Sequence, residues 1–245
     1  MTSQFYLTPS AGKRLIAKAV LLLPEVQTAL TEGTVVVIMG TTNAYIANEI
    51  LSRAGSSDRV AFKEFHRGIL LPAGYERKPA TMRGDLVVEK GTPSFTLELE
   101  AVCAKLKESD VIFKGANAVN LELNQAGVLI GARETFGTAG IALRSKARVI
   151  FPVGVEKRMS CDLKELEAEL NTPENKGLGL RCAEGAFTEL DAVRLLCGVK
   201  AKLIAGGGVC GAEGGCYFMA EGSEEQLSKL SEAVKEVSAE PAIML

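Results

Sequence analysis

The sequence predicts an α/β protein whose sheet is mainly parallel and carries helices on both faces. Three observations point there. Apolar, β-branched runs at Thr34–Met39, Asp110–Phe113 and Val149–Val153 lack the polar alternation of a half-exposed strand, the mark of strands buried on both sides. Stretches of helical spacing lie between them, such as 44–54, where Ile46, Ile50 and Ala54 fall in phase. The runs end in small or turn-forming residues, so strands and helices alternate along the chain.

Taken in order, residues 10–23 read as a helix with Ser10 as its N-cap and Leu15, Ala19 and Leu22 on one face; Pro24 ends or redirects it. The strand at 34–39 runs into Gly40, Thr41, Thr42 and Asn43. The helix that follows stops at Gly55. Residues 59–92 read as a hairpin-rich insertion, because Gly68, Gly74, Gly84 and Gly91 punctuate short apolar pieces such as 69–71 and 86–88. A helix is expected from Phe95 to Glu108, with Leu99, Val102 and Leu106 in phase. Helix in two pieces is expected over 121–146. A short helix over 162–170 has Glu165 placed to complete a capping box with Asp162.

Residues 1–180 thus form a ligand-binding core, and 181–245 a small α+β subdomain. In the latter, Thr188 and Asp191 open a helix that Gly198 ends. Strands at 199–205 and 216–220 flank the break at Gly206–Gly208. Ser223 and Gln226 open a last helix with Leu227, Leu230, Val234 and Val237 on one face.

Composition removes several classes of function. The 245 residues carry 28 basic and 30 acidic side chains, a net charge of −2, with no basic block, so no nucleic-acid partner is expected. The apolar runs are too short to span a bilayer, and the start lacks a basic-then-apolar leader, so no membrane partner and a cytoplasmic location are expected. Cys103 and Cys197 fall on apolar helical stripes. Cys210 and Cys216, separated by GAEGG, do not have zinc spacing, and His66 is the sole histidine. No metal or cofactor is expected, and a Ser–His or Cys–His nucleophile would require His66 itself.

Two segments carry candidate chemistry. At Gly40–Asn43 a helix starts where a parallel strand ends, and free N–H groups with threonine hydroxyls suit a phosphate or carboxylate; the alternative is that Thr42 or Asn43 only caps the helix. Neither a Walker lysine nor GxGxxG occurs there. In the second, a strand leaves at Lys114, Gly115, Ala116 and Asn117, and Asn120 and Asn124 follow: amides and a lysine placed to hold an anion or a sugar. Glu134 is the only acid between Glu122 and Glu156, which makes it either a general base or a surface charge. Residues 10–14, with Lys13 and Arg14 at a helix start, read as a second anion site or as a solvated basic turn, Arg67 as a surface hairpin residue, and Gly206–Gly215 as a lid or an edge connection.

The order of these motifs resembles ribose-5-phosphate isomerase A and the superfamily that also holds glucosamine-6-phosphate deaminase and the CoA transferases. The resemblance covers roughly residues 10–160 and implies a Rossmann-like sheet; the helix–strand–strand–helix tail is compatible with that isomerase's small α+β lid. Gly40, Thr41, Thr42 and Asn43 match the start of the family's Gly-Thr-Gly-Ser-Thr phosphate loop, one residue shorter. Gly115 and Ala116 match the centre of its Asp-Gly-Ala-Asp motif, and Glu134 its proton-moving glutamate. The departures are chemical. Lys114 and Asn117 replace both aspartates, Gln125 falls near a catalytic lysine, and Thr135 replaces the lysine after the glutamate. Glu134–Thr138 also resembles loops of folate cyclo-ligase-like and lactate-utilisation domains in the same superfamily. The resemblance implies an isomerase- or transferase-like enzyme on a small phosphorylated or acyl substrate, not a standard ribose-5-phosphate isomerase, and a homo-oligomer. Gly40, Thr41, Thr42, Asn43, Lys114, Gly115, Asn117 and Asn120 would bind the anion and Glu134 would be the base. The alternative is a non-catalytic sensor or assembly protein on the same scaffold.

Overall fold

The computed structural model describes residues 1–65, 67–68, 70–76 and 81–244. His66 and Ile69, singled out above, lie outside the described residues. β1 (Thr2–Leu7) leads into α1 (Pro9–Val20) and α2 (Pro24–Glu32). β2 (Thr34–Ile38) is followed by α3 (Thr41–Arg53) and a 3-10 turn at Phe62–Glu64. A hairpin of β3 (Asp85–Glu89) and β4 (Thr92–Thr96) precedes α4 (Leu99–Cys103) and β5 (Val111–Lys114). A second hairpin, β6 (Ala118–Asn120) and β7 (Gln125–Ile130), precedes α5 (Gly137–Arg144), β8 (Arg148–Pro152) and α6 (Leu163–Leu170). The chain ends with β9 (Gly179–Glu184), β10 (Ala186–Phe187), α7 (Glu189–Cys197), β11 (Lys200–Gly207), β12 (Gly215–Glu221) and α8 (Glu224–Val237). Among the described residues, no helix is long and apolar enough to cross a membrane.

The main sheet is mixed, in the order β10-β8-β5-β2-β3-β4. β10, β8, β5 and β2 run parallel, whereas β3 pairs antiparallel with β2 and β4 antiparallel with β3. The parallel expectation therefore holds on one side of β2 and fails on the other, where a tight turn through Lys90 and Gly91, both at positive φ, folds β4 back on β3. β2 shows why polar alternation is missing from its sequence. Val35 and Val37 enter a core with Leu15 and Ile16 of α1 and Ile46 of α3, while Val36 and Ile38 enter another with Leu99 and Cys103 of α4 and Ala142 of α5. Helices thus cover both faces of the sheet.

Two antiparallel sheets flank it. β6-β7-β9 shares a core with Phe151 and Val153, and Leu163 of α6 packs against Leu180 and Cys182. β1-β12-β11 joins the two ends of the chain, with β1 paired to β12 from Thr2↔Glu221 to Leu7↔Cys216. Phe5 and Phe218 stack at 4.8 Å, and both belong to the core that holds α1 and α3. The boundary expected at residue 180 falls inside β9, and β10 forms an edge of the main sheet.

Several local expectations are corrected. Thr8, not Ser10, caps α1, with Pro9 in its first turn; Pro24 redirects the chain, as the first residue of α2. The helix expected from Phe95 shrinks to Leu99–Cys103, because Phe95 pairs with Leu86 in the β3–β4 hairpin. Residues 125–130, expected helical, are a strand. Asn124, at φ 51, makes the turn, and Gly127 lies so close to Ala118 and Leu180 that an added Cβ would sit 3.2 Å from each. Of the insertion at 59–92, only the end beginning at Asp85 belongs to a hairpin among the described residues.

Candidate functional site

The parallel strands bring four turns to one edge of the sheet. Ile38 is level with Lys114, Phe113 with Ile150, and Phe187 with Pro152. Their carboxyl ends deliver Gly40–Asn43, Lys114–Asn117, Gly154–Arg158 and Thr188–Glu189. The antiparallel β3 starts at the same edge with Asp85. This is the edge at which open α/β sheets bind ligands.

At the first turn, Gly40 is the N-cap of α3 and supplies no side-chain cap. Ala44 N–H is the residue that bonds back to Gly40 O, at 2.8 Å, so the N–H groups of residues 41–43 lie ahead of the helix's own ladder. Thr41 and Thr42 line a small cavity of about 30 Å³ with Met39, Lys114, Gly115 and Lys157. Asn43 does different work. It is fully buried, and its Nδ2 donates to Ile38 O at 2.7 Å and to Phe113 O at 2.9 Å, tying the ends of β2 and β5 together. Its Oδ1 is buried without a partner among the described residues.

Two lysines dominate the electrostatics. Lys114 Nζ donates to Gly115 O at 3.1 Å, and Lys157 Nζ to Ala116 O at 2.9 Å. Neither forms an ion pair among the described residues; the nearby cations Arg67 and Lys13 are instead paired, with Asp85 and Glu156, each at 2.7 Å. Burial, reinforced by Arg67 and by Lys157, lowers Lys114 to about 8. Burial and the neighbouring Lys13 lower Lys157 to about 8. Carbonyl acceptors compensate the lysines only in part, so a ligand anion would complete their pairing.

Behind them lies a buried charge cluster. Glu156 accepts from Lys13 Nζ, and although burial raises its carboxyl, Lys13 and Lys157 outweigh that and hold it below the ordinary range. Glu189, at the start of α7, accepts from Val155 N–H at 2.9 Å, and burial with Glu156 nearby pushes it up to about 7. Gly12 makes room for it, since a Cβ there would collide with Glu189 Oε1. The glycine-rich loop folds over this cluster, with Gly214 beside Pro9 and Glu156 and Tyr6 Oη donating to Ala212 O at 3.3 Å. Cys216 lies close by, and burial raises its thiol to about 11.

The structure brings Gly40, Thr41, Thr42, Lys114, Gly115 and Asn117 together around one cleft. Asn117 also donates to Gly68 O at 3.3 Å and accepts from Leu129 N–H at 3.1 Å. Asn120 is elsewhere. It accepts from the N–H groups of Glu122 and Leu123 and donates to Cys161 O, which fixes the β6–β7 turn. Glu134 is exposed in the turn before α5 and does not line the cleft. Its neighbour Arg133 reaches away to the carbonyls of Thr172 and Gly177. Gln125 holds Asp162 and Leu163 N–H, a structural bridge.

Sequence reasoning undervalued Lys13, Arg67 and Glu189. Lys13 and Arg67 carried the surface default of their residue type, and Glu189 looked like an ordinary first-turn acid after the Thr188 cap. The short side chains Ser10, Ala11 and Gly12 around Lys13 are the one signal that α1 approaches something closely there. Among the described residues, no group of three His, Cys, Asp or Glu side chains is placed to hold a metal ion. Comparison with protein-family models, with characterised proteins and with solved structures finds no match for this chain.

Proposed function

We propose that the chain is a cytoplasmic protein on a Rossmann-like scaffold of the phosphosugar-isomerase and CoA-transferase type, and that its cleft holds a small phosphorylated or acyl anion. The observation that carries this reading is that buried Lys114 and half-buried Lys157, without carboxylate partners among the described residues, line one cleft with the uncapped turn at Gly40. The anion's oxygens meet the N–H groups of residues 41–43 and the two lysines. The amide of Asn117 orients the rest of the molecule.

An isomerase- or transferase-like reaction on such a substrate develops negative charge on a carbonyl or acyl oxygen. Ammonium groups near 8, as Lys114 and Lys157 are, stabilise that oxygen or hand it a proton at neutral pH. The reaction is not standard ribose-5-phosphate isomerisation, because Lys114 and Asn117 stand where two aspartates would and Gln125 is occupied in the fold. Glu134, exposed outside the cleft, takes no part in this reading. That exposure also favours a second reading, a ligand sensor without chemistry, in which the same cleft binds and does not turn over.

A thermal-shift screen of phosphosugars, acyl-CoAs and folates tests the proposal. A ligand of the native state raises the melting temperature with its concentration. A rise with one anionic class, followed by an assay for its turnover, separates the enzyme from the sensor. No rise with any anion, inorganic phosphate included, overturns both.

A further inference from the structure

The small cleft opens onto a larger cavity of about 500 Å³, which shares Thr41, Gly68, Asn117 and Lys157 with it. Its lining is of two kinds. Thr41 and Lys157, shared with the small cleft, and buried Lys13 are polar lining, and Leu70, Leu71, Tyr75 and Met244, most of them exposed, form an apolar outer wall. Leu70 is 75% exposed and Met244 82%, high values for large apolar side chains, and both are turned to the same groove. The outer wall comes from two irregular segments, the loop after Arg67 and the C-terminal tail after α8; Ile243 of the tail packs against the main core, whereas Leu70, Leu71, Tyr75 and Met244 belong to no core cluster among the described residues. Exposed apolar groups gathered in one concavity beside polar groups are the usual layout of a small-molecule site, and the volume is that of a ligand well beyond a bare phosphate.

We infer that the ligand is amphipathic: an anionic phosphate or carboxylate held at Lys157 and Thr41, joined to an apolar chain or aromatic ring that lies along Leu70, Leu71, Tyr75 and Met244. The inference rests on the anion site proposed above and narrows its substrate class, away from free polar sugar phosphates. Lys157 supplies the charge complementarity that fixes the orientation, because Lys13 is already matched by Glu156. The apolar body displaces water from side chains that the fold leaves exposed, and each methylene that leaves water is worth roughly fourfold in affinity.

The test compares methyl phosphate with hexyl phosphate by isothermal titration calorimetry on the full chain. Hexyl phosphate is expected to bind at least about tenfold more tightly, since only part of its chain leaves water. Leu71→Asn, and independently Met244→Ser, should reduce that ratio and leave the methyl phosphate affinity unchanged. Equal affinities for the two ligands overturn the inference and leave the anion site standing. A chain preference that survives both variants overturns the groove assignment. No binding of either phosphate overturns the anion site, and the inference with it.

Discussion

Lys13 Nζ lies 2.7 Å from Glu156 Oε1, joining the N-terminal half of α1 to the turn after β8 across 143 residues of chain. Their side chains are only 6% and 13% exposed, so water screens the pair little. A pair of this kind adds little net stability over an apolar alternative, but removing one partner strands a buried charge. Lys13→Met should therefore lower unfolding stability by roughly 3–5 kcal/mol in urea denaturation. The double variant Lys13→Met, Glu156→Gln should recover much of the loss. A single variant as stable as the wild type would show that Glu156 finds another partner.

Glu189 gives the fold a pH dependence of definite sign. Its carboxyl is pushed up to about 7, from an ordinary value of 4.5, chiefly by burial and then by Glu156. Between those values the folded chain binds more protons than the unfolded one, so this contribution is complete below about 4.5 and is lost as the pH rises through about 7. Glu189→Gln keeps an oxygen for Val155 N–H and removes the titration. Stability curves from pH 4 to 8 should show the variant gaining on the wild type as the pH rises through that window. Parallel curves would mean that Glu189 does not titrate there.

Asn43 is expected to matter to the fold as much as to any ligand. Asn43→Ala leaves the carbonyls of Ile38 and Phe113 without their side-chain donor at a buried position. The cost is about 1–3 kcal/mol for each carbonyl left unsatisfied, read as a lower urea midpoint at unchanged slope. A loss of less than about 0.5 kcal/mol would show that water or neighbouring N–H groups replace the amide.

The legibility of this chain follows physical lines. The strands at β2, β5 and β8 announce themselves because burial on both faces forces continuous apolar runs. The caps of α7 and α8 are visible because Thr188 with Asp191 and Ser223 with Gln226 satisfy helix N–H groups locally, and both boxes form. The strand-end corners at Gly40 and Lys114 follow from those strands. What escaped depends on distant partners. β7 reads as helix until β6 and β9 are placed beside it, and the pairing of β1 with β12 joins the two ends of the chain. The burial of Lys13 needs Glu156 to be present, and nothing near Lys13 in sequence specifies that partner. Glu134 reads from sequence as either a base or a surface charge, and only the placement of the turn before α5 shows that it faces solvent.

The most direct test of the anion site is the affinity of inorganic phosphate for the wild type and for the double variant Lys114→Met, Lys157→Met, measured by calorimetric titration at pH 7 and low salt. Methionine keeps the volume of each side chain and removes its charge, so the fold should persist. Hydrogen bonds to charged groups are worth about 1.5–3 kcal/mol each, so the account requires at least about a tenfold loss of affinity. The wild-type affinity should also fall as the pH is raised through about 8, where both lysines lose their protons. Equal phosphate affinity in the two proteins would contradict the account.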